Sequence, residues 1–196
     1  MKEKTLPKNG GIVGVSDHGG WAILVTATPD GTLIDRRRVD LVDERLPKLP
    51  HHSEGQRLPI DEAVKLVERV RISAEKHASL VLDTLAKTVP HILGIALRNC
   101  QPLPPTIAER ITDYRAQNVA DWVMYRKALA LAAEARGWPV HWYDPKKVLA
   151  AASQTLGTEN LDAYFLNVRK TVGPPWNNDH KLAMAAAIAG ANSSIA

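Results

Sequence analysis

Hydrophobic positions recur along this chain with two different periods. Ile12-Val13-Gly14-Val15 and Trp21-Ala22-Ile23-Leu24-Val25 are short apolar runs that read as strands, with Ser16-Asp17-His18-Gly19-Gly20 as the turn between them. Pro29-Asp30-Gly31-Thr32 signals a second turn, and Leu33 to Leu41 supplies a third strand. Charges at Asp35-Arg36-Arg37-Arg38 mark that strand as a sheet edge or solvent face. Residues 43–59, with three prolines, a glycine, His51 and His52, read as a solvated loop.

The period then changes. Apolar residues at 60, 63, 64, 67, 74, 78, 81, 82 and 85 predict an amphipathic helix over Ile60 to Lys87, long enough to be broken or bent. His91 to Leu97 is a short continuous apolar run, a strand buried on both faces. Thr106 and Glu109 stand three apart as a capping box, opening a helix that the pattern carries to Arg136 with Gly137 as its stop. Pro139 to Tyr143 predicts a fifth strand, and Asp144-Pro145 a helix start with a capping oxygen and a proline at the first position. Shorter helices follow over 146–153, 159–170 and 178–190. Three strands joined by tight turns pair antiparallel, and strands reached through helices join the sheet in parallel by right-handed crossovers. The expectation is an α/β fold: a mixed five-stranded sheet with helices on both faces, in one domain over residues 1–196.

Composition narrows this little. The 196 residues are 45% hydrophobic and 23% charged, ordinary usage for a domain with its own core. An excess of 25 basic over 21 acidic side chains is compatible with a polyanionic partner. The single cysteine, Cys100, excludes a disulfide framework and a cysteine-based zinc site, and it reads as a small buried hydrophobe. The amino end lacks the apolar core of a signal peptide, and Leu182 to Ala191 is too short to span a bilayer, so the expected compartment is the cytoplasm. Phosphate loops, Gly-x-Ser-x-Gly elbows, His-Glu-x-x-His pairs and Cys-x-x-Cys pairs are all absent from the sequence.

Motifs at three places resemble those of the ribonuclease H-like superfamily, in particular the RuvC-type Holliday-junction resolvases. Gly14-Val15-Ser16-Asp17 before Gly19-Gly20-Trp21 resembles that family's Gly-Ile-Asp strand end; Tyr143-Asp144-Pro145-Lys146-Lys147 resembles its last strand end; and Asp179 to Ala185 resembles its terminal helix, which opens on a catalytic aspartate. The resemblance implies a ribonuclease H-like fold and a metal-dependent endonuclease acting on branched or structured DNA. In that reading Asp17 and Asp179 bind magnesium or manganese, with Asp144 and His180 completing the catalytic set. Arg98, Lys146, Lys147 and Lys181 would hold the nucleic-acid backbone, with Arg36-Arg37-Arg38, Arg126 and Lys127 as further phosphate contacts. Five tryptophans could serve as stacking platforms or as core anchors.

The departures from that pattern define a second reading. The family aspartate position falls on Ser16, and a one-residue step reverses a side chain's direction, so Asp17 serves only if the strand has already ended or bulged. The glutamate expected after the fourth strand is missing, Leu97 being followed by Arg98-Asn99-Cys100, with Glu62 or Glu68 as the substitutes in reach; the second acid of the last helix is Leu182. Two aspartates can hold one ion but hardly fix the pair, about 3.5 to 4 Å apart, that two-metal hydrolysis uses. Asp17 is otherwise turn chemistry, and Asp144 and Asp179 are cap residues beside Asn177 and Asn178. The alternative is therefore a catalytically inactive domain that binds nucleic acid or assembles with protein, a homodimer packed through the long helix being the form it implies.

Overall fold

The structure is a computed structural model that describes residues 10–193. Its five strands are β1 (Gly11–His18), β2 (Trp21–Ala27), β3 (Leu33–Asp40), β4 (Ile92–Arg98) and β5 (Val140–Tyr143). They lie in the order β3-β2-β1-β4-β5, with β1, β2 and β3 antiparallel in turn and β4 and β5 parallel to β1. The helices are α1 (Ile60–Thr88), α2 (Ile107–Thr112), α3 (Tyr114–Glu134), α4 (Val148–Leu156), α5 (Leu161–Val172) and α6 (Asn178–Ser193), with a 3-10 turn at Glu54–Arg57. None of these helices is long and apolar enough to cross a membrane.

Strand alternation splits the core in two. Val13, Val15, Ala22, Leu24, Ile95 and Leu97 face α1 and α3, while Ile12, Ile23, Val25 and Ala96 face α4, α5 and α6. Each face is thus covered, and the central strands read as continuous apolar runs for that reason. The alanines of α6 let its backbone lie directly on β1. A Cβ at Gly14 would fall 1.8 Å from the Ala183 carbonyl oxygen, so only glycine permits this approach.

Four sequence expectations shift. The turn predicted over 16–20 is confined to Gly19-Gly20, Gly20 taking φ +77°, because Ser16, Asp17 and His18 stay in the ladder opposite Ile23, Ala22 and Trp21. The helix predicted from 106 to 136 keeps its Thr106–Glu109 capping box but breaks at Asp113. That carboxylate accepts from the amides of Arg115 (2.7 Å) and Ala116 (2.9 Å), and capping of this kind competes with helix continuation. α1, by contrast, runs unbroken for 29 residues. Asp144 is not an N-cap: it accepts from the Lys146 amide in a turn, and α4 begins only at Val148.

The loop between β3 and α1 is not simply solvated. His51 is buried, with its backbone amide (3.0 Å) and Nδ1 (2.7 Å) both bonded to Asp121 of α3, whose second oxygen accepts from the His52 amide. Gln56 bonds the carbonyls of His51 and Ile111, and the Tyr125 hydroxyl donates to the Lys48 carbonyl. A buried carboxylate with three donors has both oxygens hydrogen-bonded, and it pins the loop to α3. His52 is exposed, as predicted.

Candidate functional site

Unbroken alternation along β1 determines where its polar end points. Ser16 and His18 share the α6 face with Ile12 and Gly14; Asp17 shares the α1 and α3 face with Val13 and Val15. On the α6 side, Ser16 Oγ donates to Asp179 Oδ1 (3.1 Å), and His18 Nε2 lies 2.9 Å from the same oxygen. On the other side, Arg126 Nε of α3 donates to Asp17 Oδ2 at 2.7 Å, and its Nη1 donates to the Asn99 carbonyl. Asp17 and Arg126 are 2% and 7% exposed, so this ion pair is out of water. The two aspartates expected to share a metal therefore lie on opposite faces of the sheet.

Ser16, His18 and Asp179 are the residue types of a nucleophilic triad, but their hydrogen bonds run in the wrong order. A triad serine gives its proton to the imidazole; here serine and imidazole both donate to one carboxylate oxygen, which can only accept. The His18 ring is instead stacked on Trp21, with centroids 4.0 Å apart and planes 5° from parallel, and Arg38 lies 4.7 Å from the Trp21 ring. These contacts hold His18 in place rather than activate a hydroxyl.

His180 closes the first turn of α6. Its amide donates to Asn177 Oδ1, capping the helix, and its Nδ1 lies 2.6 Å from the same oxygen. Burial and then Arg36 push the imidazole below its ordinary pKa, with Asp179 opposing, so it stays neutral beside Trp176. Its role is structural, at N3 of the helix, and it is not brought to a reaction centre. Asp179, by contrast, is partly exposed at the favourable end of the helix dipole.

The remaining acids do not assemble around Asp179. Glu62 is exposed on α1, and Glu68 pairs with Arg71 on that helix's own surface. Among the described residues no group of three or more His, Cys, Asp and Glu side chains could hold a metal ion. Magnesium or manganese, which the resemblance implies, does not fit the donors present: one carboxylate is matched to a buried guanidinium, and the other has a serine and an imidazole as its neighbours.

The basic residues fall into two groups. The run on β3 is taken up locally: Arg36 donates to the carbonyls of Val172 (2.7 Å) and Gly173, and Arg38 pairs with Asp40. Arg37 forms a fork with Asp35, which holds its guanidinium above the ordinary pKa. The other group lies at the carboxyl ends of β4 and β5, where Arg98, Arg126 and Lys146 line a cleft of about 460 Å³ with Trp122, Asn118 and Asp144. Lys147 lines an adjoining depression, and Lys181 a third one beside Asp179, between α4 and α6. Tyr143 sits beneath this edge, its hydroxyl donating to the Val15 carbonyl; burial drives its pKa up to about 12 against the opposing charge of Arg98. Cys100, half-buried beside Arg126, has its thiol pKa raised, first by burial, and is no ready nucleophile.

A five-stranded sheet in the order 3-2-1-4-5, with its first three strands antiparallel and helices on both faces, is the ribonuclease H-like fold of the RuvC type. The RuvC of Thermus thermophilus, in complex with a Holliday junction substrate, matches with a TM-score of 0.51 at 16% identity, covering 94% of each chain. A second structure of Thermus thermophilus RuvC gives 0.50 at 14% identity, covering 94% of this chain and 97% of that one. No protein-family model and no curated protein matches the sequence. At these identities the likeness is one of fold.

Proposed function

We propose that the chain, over residues 1–196, is one ribonuclease H-like domain that binds branched or structured DNA at the carboxyl edge of its sheet without two-metal hydrolysis. The observation that carries this reading is the buried ion pair of Asp17 with Arg126, which commits the strand-end carboxylate to a fixed cation on the face away from Asp179. Arg98 and Lys146, with Lys147 and Lys181 nearby, supply positive charge along the same edge. The RuvC whose fold is similar was solved with a Holliday junction, which makes junction DNA the first ligand to try.

The test is fluorescence anisotropy of a labelled four-way junction in EDTA, with parallel incubation in magnesium or manganese. The expected result is salt-sensitive binding that survives EDTA, with no strand cleavage in either metal. Cleavage that disappears in Asp179→Asn would restore the endonuclease, and failure to bind any DNA would remove the nucleic-acid reading altogether.

A further inference from the structure

The cleft at the ends of β4 and β5 has more chemistry than backbone binding requires. Its volume of about 460 Å³ is enough to seat a small ligand group. Two unmatched cations line it, Arg98 and Lys146, against one lining carboxylate, Asp144, the charge of Arg126 being met by Asp17. Arg126 is fixed in place by Asp17 and the Asn99 carbonyl, and Arg98 has a buried Nε without a hydrogen-bond partner. One wall is aromatic: Trp122 is partly exposed, and Asn118 lies one helical turn before it on α3, on the same side, its Nδ2 donating to the Tyr114 carbonyl and leaving its Oδ1 and second N–H to a ligand.

These are the parts needed to hold a base that has left its stack. An aromatic face takes the base plane, a side-chain amide and Asp144 can meet its donor and acceptor edge, and guanidinium and ammonium groups take the phosphate. Bases within a duplex present no free face to such a wall, so the cleft selects for an unpaired position. We propose that it receives a single unpaired nucleotide, base against Trp122, edge toward Asn118 and phosphate toward Arg98 and Lys146. The proposal rests on the nucleic-acid reading above.

The test uses the full chain in EDTA with a forked DNA carrying 2-aminopurine at one unpaired position, beside a fully paired duplex of the same length. Binding quenches the 2-aminopurine emission several-fold, and the preference for the forked over the paired DNA falls about tenfold in Trp122→Leu. Asn118→Ala, on the half-exposed part of α3, gives the same direction of change should the tryptophan variant fold poorly. Lys146→Ala lowers the salt dependence of forked-DNA binding by about one charge. Binding with no change in emission overturns the proposal and leaves the nucleic-acid reading standing. So does an undiminished fork preference in both α3 variants. A protein that binds neither DNA overturns both.

Discussion

Asp17 and Arg126 place a carboxylate and a guanidinium 2.7 Å apart in a nearly dry site, so each is satisfied chiefly by the other. Removing one member strands the opposite charge, which costs about 3–5 kcal/mol. Asp17→Asn is therefore expected to lower the unfolding free energy in urea by about that amount, and replacing both partners by apolar residues of similar volume should recover most of it. A carboxylate held for metal binding predicts the opposite sign, since its loss relieves repulsion among acids. Unchanged or raised stability in Asp17→Asn would sink the pairing described here. Part of this was legible beforehand: a one-residue step along a strand reverses a side chain, and the sequence places Ser16 where the family pattern wants the acid. What local composition hid was that Ser-Asp-His would stay extended, because those residues have turn chemistry. Cross-strand pairing with Trp21 to Ile23 and the stack of His18 on Trp21 decide it, and Arg126 arrives from 109 residues away.

At the scale of elements, periodicity located every strand and the long helices, because burial on one stripe or two faces leaves its mark in the order of apolar residues. Competition between a cap and a continuing helix leaves no such mark, so the break at Asp113 was invisible within an apolar pattern that runs across it. His51 was missed for a related reason, its partner Asp121 being on a distant helix. The start of α6 shows what a cap residue does to the whole element. Burial keeps the His180 pKa below 6.5 in the folded chain, so on acidification the unfolded chain takes up the proton first. Stability is then full above about pH 6.5 and declines as the pH falls toward the lower folded value. His141, also lowered by burial, adds in the same direction. In His180→Gln the melting temperature should be offset at every pH through the altered cap, but it should fall less steeply than wild type between about pH 7 and pH 5. Parallel melting curves across that range would contradict a neutral buried imidazole at this position.

The molecule as a whole shares its fold with a RuvC over nearly its full length, at 16% sequence identity. A fold supplies directions and distances; the residues placed there supply the chemistry. Here the direction toward α6 at the end of β1 belongs to Ser16, already within hydrogen-bond distance of Asp179. Asp179 thus has a hydroxyl beside it on the α6 face and no second carboxylate. Ser16→Asp puts two carboxylates side by side on the α6 face, so the apoprotein should be destabilised by like charge and should gain affinity for a divalent ion. Manganese at about ten times its dissociation constant would stabilise the variant by roughly 1.4 kcal/mol, a rise in melting temperature of about 3–6 °C, with no such response in wild type. Asp17 remains paired with Arg126 in both proteins, so any gain comes from position 16 alone. If manganese leaves Ser16→Asp unmoved, the α6 face lacks the ligand geometry of the metal nucleases, and the difference from them extends beyond the missing acids into the placement of α6 on the sheet.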